Sequence, residues 1–302
     1  MSRSRLISLG QALIILLILF FWGQALTTNW QTFVTYPWQF NWAYLLGALG
    51  LLMLEMVTAA SIWWRTLTFT GTGIPWLLGM QLFFRAQIAR YLPGGVWDLV
   101  GRFALGSQAG VGKRSMAASM GLEMGVQALS GAIFLLAALA LRADLAASAY
   151  LGLGLAVALL SLLLLSPPIF TSFVNAGLHA LKKPRLDMTL TYGGLFQLFL
   201  LRILGHLFVG LGFACFVRGI APTPASLIPQ LATSFVGAWL IGYLAFIFPM
   251  GVGVRESALV LLISGALPFS VAAVAGVGYR ALIAIRDLLT AGVGMAIEKT
   301  SG

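Results

Sequence analysis

Long apolar runs separated by short polar connections dominate the chain from residue 10 to residue 297. A membrane-spanning helix needs about 20 predominantly apolar residues. Six runs of that kind lie at residues 10–27, 42–63, 115–141, 146–166, 189–217 and 270–297. The pattern therefore predicts an all-α, polytopic membrane protein with about six full spans. We interpret the longest polar connection, residues 166–187, as a loop that follows the Pro167-Pro168 pair.

Two further apolar stretches are interrupted by helix-breaking residues. Residues 76–107 are broken at Pro93, Gly94 and Gly95, and residues 226–266 are broken at Pro249, Gly251 and Gly253. Both pieces of the first stretch are too short to cross a bilayer, which predicts a re-entrant helical hairpin. The second stretch is open to two interpretations, a second hairpin or a full span over residues 226–248. A kinked helix without a ligand is the alternative at each break.

The basic residues of the connections divide unequally between the two sides of this topology. One side holds Arg3, Arg5, Arg65, Lys113, Arg114, Lys182, Lys183, Arg185 and Lys299, and the other holds Arg142 and Arg218. Lys and Arg collect in cytoplasmic loops, so both termini are predicted in the cytoplasm of a multi-pass protein of the cell (inner) membrane. The apolar run near the N-terminus is interpreted as an uncleaved first span rather than a signal peptide.

If the second hairpin enters from the outside, the two halves of the chain repeat each other in opposite orientation. The halves are residues 10–141 and 146–297, within one membrane domain over residues 1–302. Inverted-topology repeats of this kind recur in transporters.

Composition excludes several classes of protein. The chain is 60% hydrophobic and 9% charged, whereas about 25% of residues are charged in soluble domains. The net charge of +10 is explained by membrane topology, so no nucleic-acid partner is expected. Cys215 is the single cysteine and excludes an intramolecular disulfide. We expect no metal site and no cofactor, because histidines are few and the acidic residues are scattered.

Charged side chains at membrane depth carry the candidate chemistry. Seven arginines lie inside apolar stretches (Arg85, Arg90, Arg102, Arg202, Arg255, Arg280, Arg286), against five acids (Glu55, Asp98, Glu123, Glu256, Asp287). Each such charge costs about 2.5–3.5 kcal/mol on insertion scales, and a guanidinium binds phosphate through a planar fork of donors. The set predicts a cationic cavity. The alternative is structural ion pairing, with Asp98 bonded to Arg102 and with Arg286 and Asp287 reaching the membrane surface.

The two breaks place half-helix N-termini, with their free N–H groups, next to two of these arginines. We predict that Arg102, Arg255 and Arg280 hold a phosphate. Glu256 and Glu123 are expected to balance charge or to bind a cationic headgroup. The candidate binding set is completed by Arg90, Asp98 and Arg202. We interpret His206, four residues after Arg202, as a packing or hydrogen-bonded residue.

Two motifs carry a family resemblance. Tyr91-Leu-Pro-Gly-Gly-Val-Trp-Asp-Leu-Val-Gly-Arg102 and Gly251-Val-Gly-Val-Arg-Glu256 resemble blocks of the lysylphosphatidylglycerol synthase transmembrane-domain family, which also occurs as stand-alone membrane proteins. The resemblance implies movement of a lipid with a phosphate headgroup between leaflets. Full-length relatives carry a soluble aminoacyltransferase domain that this chain lacks, so we do not expect it to make aminoacylated lipid.

We therefore predict a lipid flippase and not an enzyme. The lipid stays open: aminoacyl-phosphatidylglycerol, another phospholipid, or a polyprenyl-phosphate-linked lipid. One alternative is a membrane-embedded enzyme acting on a lipid phosphate through Asp98 or Glu256. Another is a non-catalytic membrane partner of a soluble lipid-modifying synthase. The sequence leaves open whether the chain forms a homo-oligomer.

Overall fold

The computed structural model describes residues 24, 27, 28, 30–91, 97–142, 149–245 and 253–301. This part of the chain is helical and holds no β-strand. The helices are α1 Trp30–Thr35, α2 Trp42–Phe69, α3 Trp76–Ala86, α4 Trp97–Gln108, α5 Lys113–Ala140, α6 Ala149–Leu164, α7 Pro167–Ala180, α8 Tyr192–Ile220, α9 Ile228–Leu244, α10 Val254–Ile263 and α11 Phe269–Ser301, with short 3₁₀ segments at Gln87–Tyr91 and Ala225–Leu227.

Five described helical segments are long and apolar enough to cross a membrane: Trp42–Phe69, Lys113–Ala140, Tyr192–Ile220, Ala225–Leu244 and Phe269–Ile297. A sixth candidate is the pair Tyr150–Leu163 and Pro167–Ala180, which is bent by 82°. The prediction of an all-α polytopic membrane protein is thus confirmed. The predicted first span, residues 10–27, lies almost entirely outside the described residues, as do the breaks at Pro93, Gly94, Gly95, Pro249 and Gly251.

The interpretation of residues 166–187 as a loop is wrong, because α7 occupies Pro167–Ala180. Proline is tolerated in the first turn of a helix, where its missing N–H would have no partner. The Pro167-Pro168 pair therefore both ends α6 and starts α7. After α7 the chain returns to the bundle, where Arg114 donates to the carbonyl of Pro184 at 2.7 Å.

The ends of the long helices meet in two groups. The Ser115 hydroxyl donates to the carbonyl of Thr70 at 3.1 Å, and Thr189 N–H donates to the carbonyl of Phe69 at 3.0 Å. These bonds bring together the end of α2 and the starts of α5 and α8, and we name this the basic end because Lys113, Arg114, Lys182, Lys183 and Arg185 lie there. At the opposite end, Asn41 N–H donates to the carbonyl of Gly219 at 2.9 Å.

The short helices α3 and α4 form a pair that starts and finishes at the basic end. α3 starts at Trp76, soon after α2 ends, and α4 finishes at Gln108, shortly before α5 begins at Lys113. With 11 and 12 residues at 1.5 Å per residue, each helix is roughly 17 Å long. Neither helix reaches across a hydrocarbon core of about 30 Å.

The helices α9 and α10 form a second pair, which starts and finishes at the opposite end of the bundle. The Gln230 amide near the start of α9 donates to the carbonyl of Leu262 at the end of α10, at 3.4 Å. Arg142, which follows α5, donates to the carbonyls of Leu261, Leu262 and Ser264 at 3.2, 3.1 and 3.0 Å. α10 has 10 residues, so it is about 15 Å long.

The largest hydrophobic cluster joins α8, α9 and α11 through aromatic rings. Phe235 stacks on Phe213 with centroids 4.7 Å apart and meets the edge of Tyr279 at 4.8 Å. The Tyr279 hydroxyl donates to the carbonyl of Val209 at 2.8 Å, which satisfies the one polar atom of that side chain. This packing fixes Phe235, whose ring forms part of the cavity described next.

Candidate functional site

A partly open cavity of about 350 Å³ lies in the helix bundle and is lined by helices of both halves of the chain. Its charged lining consists of Arg90, Arg102, Arg202, Arg255, Arg280, Arg286, Glu55, Asp98 and Glu123. Seven of the eight predicted binding residues are in this lining, and the eighth, Glu256, bonds to one of its members. Arg85 is not in the lining and packs instead against Gly294 of α11.

Arg102 and Glu123 form a buried ion pair that joins α4 to α5. The guanidinium donates to the carboxylate at 2.6 Å, and it also lies over the ring of Phe83, 5.1 Å from the centroid. The alternative in which Asp98 neutralises Arg102 within one helix is wrong, because Glu123 takes that position. Arg102 is buried with its counter-charge supplied by the protein.

Glu256 holds the start of α10 in place. One of its carboxylate oxygens accepts from the backbone N–H of Gly253 at 2.7 Å, and the other accepts from Arg280 of α11 at 2.6 Å. Gly253 adopts φ +84°, a left-handed conformation that side chains other than glycine rarely take. Gly253 and Glu256 of the motif therefore build a capped helix start, in which both oxygens of Glu256 already have partners.

Glu55 and Asp287 are the carboxylate partners of three further arginines of the lining, Arg90, Arg202 and Arg286. Glu55 accepts from Arg286 at 2.5 Å and lies 3.7 Å from Arg202. Asp287 accepts from Arg286 at 2.7 Å, from the Tyr91 hydroxyl at 2.7 Å and from Arg90 at 3.3 Å. The network connects α2, α8 and α11 to the 3₁₀ segment that follows α3.

The interpretation of Arg286 and Asp287 as residues reaching the membrane surface is wrong. They are 4% and 0% exposed and lie in the middle of the 33-residue helix α11. Sequence reasoning noted their depth, as it did for Glu55, but did not place these three residues in the site. Their partners are up to 231 positions away in the chain, which no spacing rule reveals.

Arg255 differs from the other arginines of the lining. Its guanidinium lies over the ring of Phe235, 4.7 Å from the centroid, and no carboxylate of the described residues pairs with it within 4 Å. Its stem packs against α9 at Gly242, where an added Cβ would lie 2.7 Å from the Arg255 Cβ. Arg280, Arg90 and the carboxylate of Glu256 are close enough to act on it electrostatically, although Glu256 is bonded to Arg280 and not to Arg255.

The balance of charge around the cavity is slightly positive. The six lining arginines face five carboxylates, namely the three of the lining together with Glu256 and Asp287, which leaves an excess of one positive charge. Asp98 lines the cavity without an ion pair or hydrogen bond to any described residue. Arg255 and Asp98 are thus the two charged groups of the site that the described part of the protein leaves unpaired.

The described residues include no group of three His, Cys, Asp or Glu side chains that could hold a metal ion. Six of the nine charged residues of the lining are arginines, and guanidinium groups bind oxyanions through their planar fork of donors.

Membrane-spanning helices around a buried, arginine-lined cavity define a polytopic membrane protein with a polar site at membrane depth. The family model described as the lysylphosphatidylglycerol synthase TM region matches residues 7–289, and the chain belongs to this family. The family predicted from the two motifs is thereby confirmed. No curated protein and no solved structure matches the chain.

Proposed function

We propose that the protein translocates a lipid with a phosphate headgroup between the leaflets of the cell membrane, and that it is a transporter rather than an enzyme. The observation that carries this proposal is the unpaired guanidinium of Arg255 in the cavity. Arg255 is half-buried. A charge withdrawn from water without a counter-charge is costly, and a phosphate would supply both the counter-charge and acceptors for the guanidinium donors.

The exposed fraction of each side chain indicates which of the remaining arginines can reach a phosphate in the cavity. The side chains of Arg280 and Arg90 are 28% and 30% exposed, whereas those of Arg102, Arg202 and Arg286 are 5–8% exposed. Both of these accessible arginines act electrostatically on Arg255 and line the same cavity. We therefore assign the phosphate to Arg255, Arg280 and Arg90, and assign the buried three to holding the walls of the cavity together.

The volume of the cavity is compatible with a headgroup and not with a whole lipid. Ligand pockets measure about 300–1,000 Å³, and this cavity is at the lower limit of that range. In the proposed mechanism the headgroup enters the cavity while the acyl chains stay in the bilayer. Translocation then requires the cavity to open alternately towards the two leaflets.

The two helix pairs, α3 with α4 and α9 with α10, are the elements proposed to control this opening. α3 with α4 starts and finishes at the basic end, and α9 with α10 starts and finishes at the opposite end. This arrangement supports two re-entrant hairpins that enter from opposite sides, as an inverted repeat of residues 10–141 and 146–297 would have. The excess of Lys and Arg at the basic end supports placing that end, and with it both termini, in the cytoplasm.

Reconstitution into vesicles with fluorescent phospholipids tests the proposal. The protein should accelerate exchange of labelled phospholipid between leaflets, and Arg255→Ala should abolish the acceleration because the free guanidinium is lost. Arg218→Ala is the matched control. Arg218 also lies over an aromatic ring, 4.8 Å from the centroid of Tyr44, but it does not line the cavity.

Three other results would contradict the proposal. Unchanged exchange in a folded Arg255→Ala variant would exclude this site. A chemically altered lipid would indicate a membrane-embedded enzyme. Exchange no faster than in empty vesicles, together with copurification of a stoichiometric soluble synthase, would indicate a non-catalytic partner.

A further inference from the structure

One face of α9 runs along the cavity as a row of aromatic rings. Phe235, Trp239 and Tyr243 are spaced four residues apart and all three line the cavity, so they follow one another over about 12 Å. Trp239 stacks on Tyr243 with centroids 4.9 Å apart and lies 5.7 Å from His206. Arg255 covers the Phe235 end of this row.

A carboxylate without a partner lies near the Tyr243 end of the row. Two acids, Asp98 and Glu123, act electrostatically on the Tyr243 hydroxyl, and so do Arg102 and Arg202. Glu123 is neutralised by Arg102, whereas Asp98 has no partner among the described residues. The cavity is therefore bipolar, with an unpaired cation at one end of the aromatic row and an unpaired carboxylate at the other.

An acceptor atom lies between these two ends. His206 is 3% exposed, and the backbone carbonyl of Gln127 lies close to its ring. A carbonyl only accepts, so the ring nitrogen facing it carries the proton. The other nitrogen, Nε2, has no partner in the described structure and is available as an acceptor. Buried polar groups without partners are rare and call for an explanation.

We infer that the cavity selects headgroups in which the phosphate carries a substituent with hydrogen-bond donors, an ammonium or a hydroxyl group. The phosphate binds at Arg255, and the donors of the substituent bind at Asp98 and His206 Nε2. This inference rests on the proposed function and specifies which phospholipids the site accepts. Both unpaired charges then receive partners from one ligand.

A binding experiment separates this inference from translocation. Short-chain phosphatidylethanolamine, phosphatidylglycerol and phosphatidylcholine are added to the protein in detergent, and the dissociation constant of each is measured from the shift in the thermal unfolding midpoint. The first carries an ammonium donor, the second hydroxyl donors, and the third no donor on its substituent. We expect phosphatidylcholine to bind at least ten-fold more weakly than the other two lipids.

The Asp98→Asn variant tests the carboxylate itself. Asn removes the charge and keeps the size, so the preference for phosphatidylethanolamine should fall at least five-fold, with a smaller loss for phosphatidylglycerol. Asp187→Asn, which changes an exposed carboxylate outside the cavity, should leave both preferences unchanged. His206→Phe should reduce the preference for both donor-bearing lipids over phosphatidylcholine.

The possible outcomes separate the headgroup preference inferred here from the lipid translocation proposed above. Equal binding of the three lipids, or full discrimination by Asp98→Asn, would overturn the inference and leave translocation standing. Discrimination in binding without accelerated exchange in vesicles would support the inference and overturn translocation. No binding of any of the three lipids would overturn both.

Discussion

The guanidinium of Arg255 lies 4.7 Å from the centroid of the Phe235 ring. Unlike Arg102, which combines such a contact with an ion pair to Glu123, Arg255 has no carboxylate within 4 Å among the described residues. A ring face attracts a cation but does not neutralise it. The contact positions the side chain while leaving its charge and donors for a ligand. Phe235 is in turn fixed by the aromatic cluster with Phe213 and Tyr279.

Replacing Arg255 by lysine should show whether the planar fork matters as well as the charge. An ammonium keeps the positive charge but cannot bind two phosphate oxygens in parallel. We expect exchange of labelled phospholipid in vesicles to fall about ten-fold in Arg255→Lys. Arg218→Lys should retain the wild-type rate. Equal rates in the wild type and Arg255→Lys would show that only charge is required.

Removing the carboxylate of Glu55 should destabilise the protein strongly. Glu55 lies between Arg286 and Arg202, so Glu55→Gln takes a counter-charge from two buried guanidinium groups. Breaking a buried pair costs about 3–5 kcal/mol. Thermal unfolding in detergent should show a midpoint well below that of Asp187→Asn. A midpoint equal to that control would mean that the Glu55 network adds nothing to stability.

The Arg102–Glu123 pair offers a double-mutant test of its role in the walls of the cavity. Glu123→Gln alone leaves Arg102 buried without its counter-charge and should destabilise by several kcal/mol. The double variant Arg102→Met/Glu123→Leu removes both charges and should recover most of the stability, because apolar replacement of a buried pair is often neutral. It should also retain lipid exchange. A stable double variant without exchange would instead assign Arg102 to the phosphate.

Cysteine labelling tests the two helix pairs as re-entrant hairpins. In a Cys215→Ala background, Gly73→Cys and Gln108→Cys should react with an impermeant maleimide from the same side of the membrane. Ser226→Cys and Ala266→Cys should both react from the other side. If either set reacts from opposite sides, the corresponding pair crosses the membrane.

Adding a methyl group at Gly242 should displace Arg255. A Cβ at this position would lie 2.7 Å from the Arg255 Cβ, so α10 must shift away from α9. Overpacking of this kind costs about 1–3 kcal/mol, and lipid exchange should fall with stability. Gly50→Ala is the control, since nothing lies within 4 Å of a Cβ there. Normal exchange in Gly242→Ala would show that the position of α10 tolerates this shift.

The membrane-spanning helices could be predicted from the sequence because each needs a long apolar run that is visible in a window of about 20 residues. Helix α7 could not be predicted in this way, since it is short and starts with two prolines that were interpreted only as a helix end. A pair of prolines in a sequence can mark the end of one helix and also the first turn of the next. Its neighbours in space decide between them, and these are far away in the chain.

The composition of the site was predictable, but its pairing was not. Arginines and acids at membrane depth are rare enough to be picked out individually, and most of them do line one cavity. The partner of each depends on which helices touch, so Arg102 bonds to Glu123 rather than to Asp98 on its own helix. The unpaired state of Arg255 follows from the same packing and is invisible in the motif that contains it.

Arg142 fastens the end of α10 through three carbonyls, those of Leu261, Leu262 and Ser264. Arg255 lies at the other end of this helix, where the bond between Glu256 and Arg280 joins α10 to α11. A tilt of α10 about the Arg142 contacts would therefore move the Arg280 side chain together with Arg255. With a lever arm of roughly 15 Å, a tilt of about 10° would carry the Arg255 backbone about 2.5 Å. A small rotation about the Arg142 contacts would thus shift the guanidinium that we propose as the phosphate ligand.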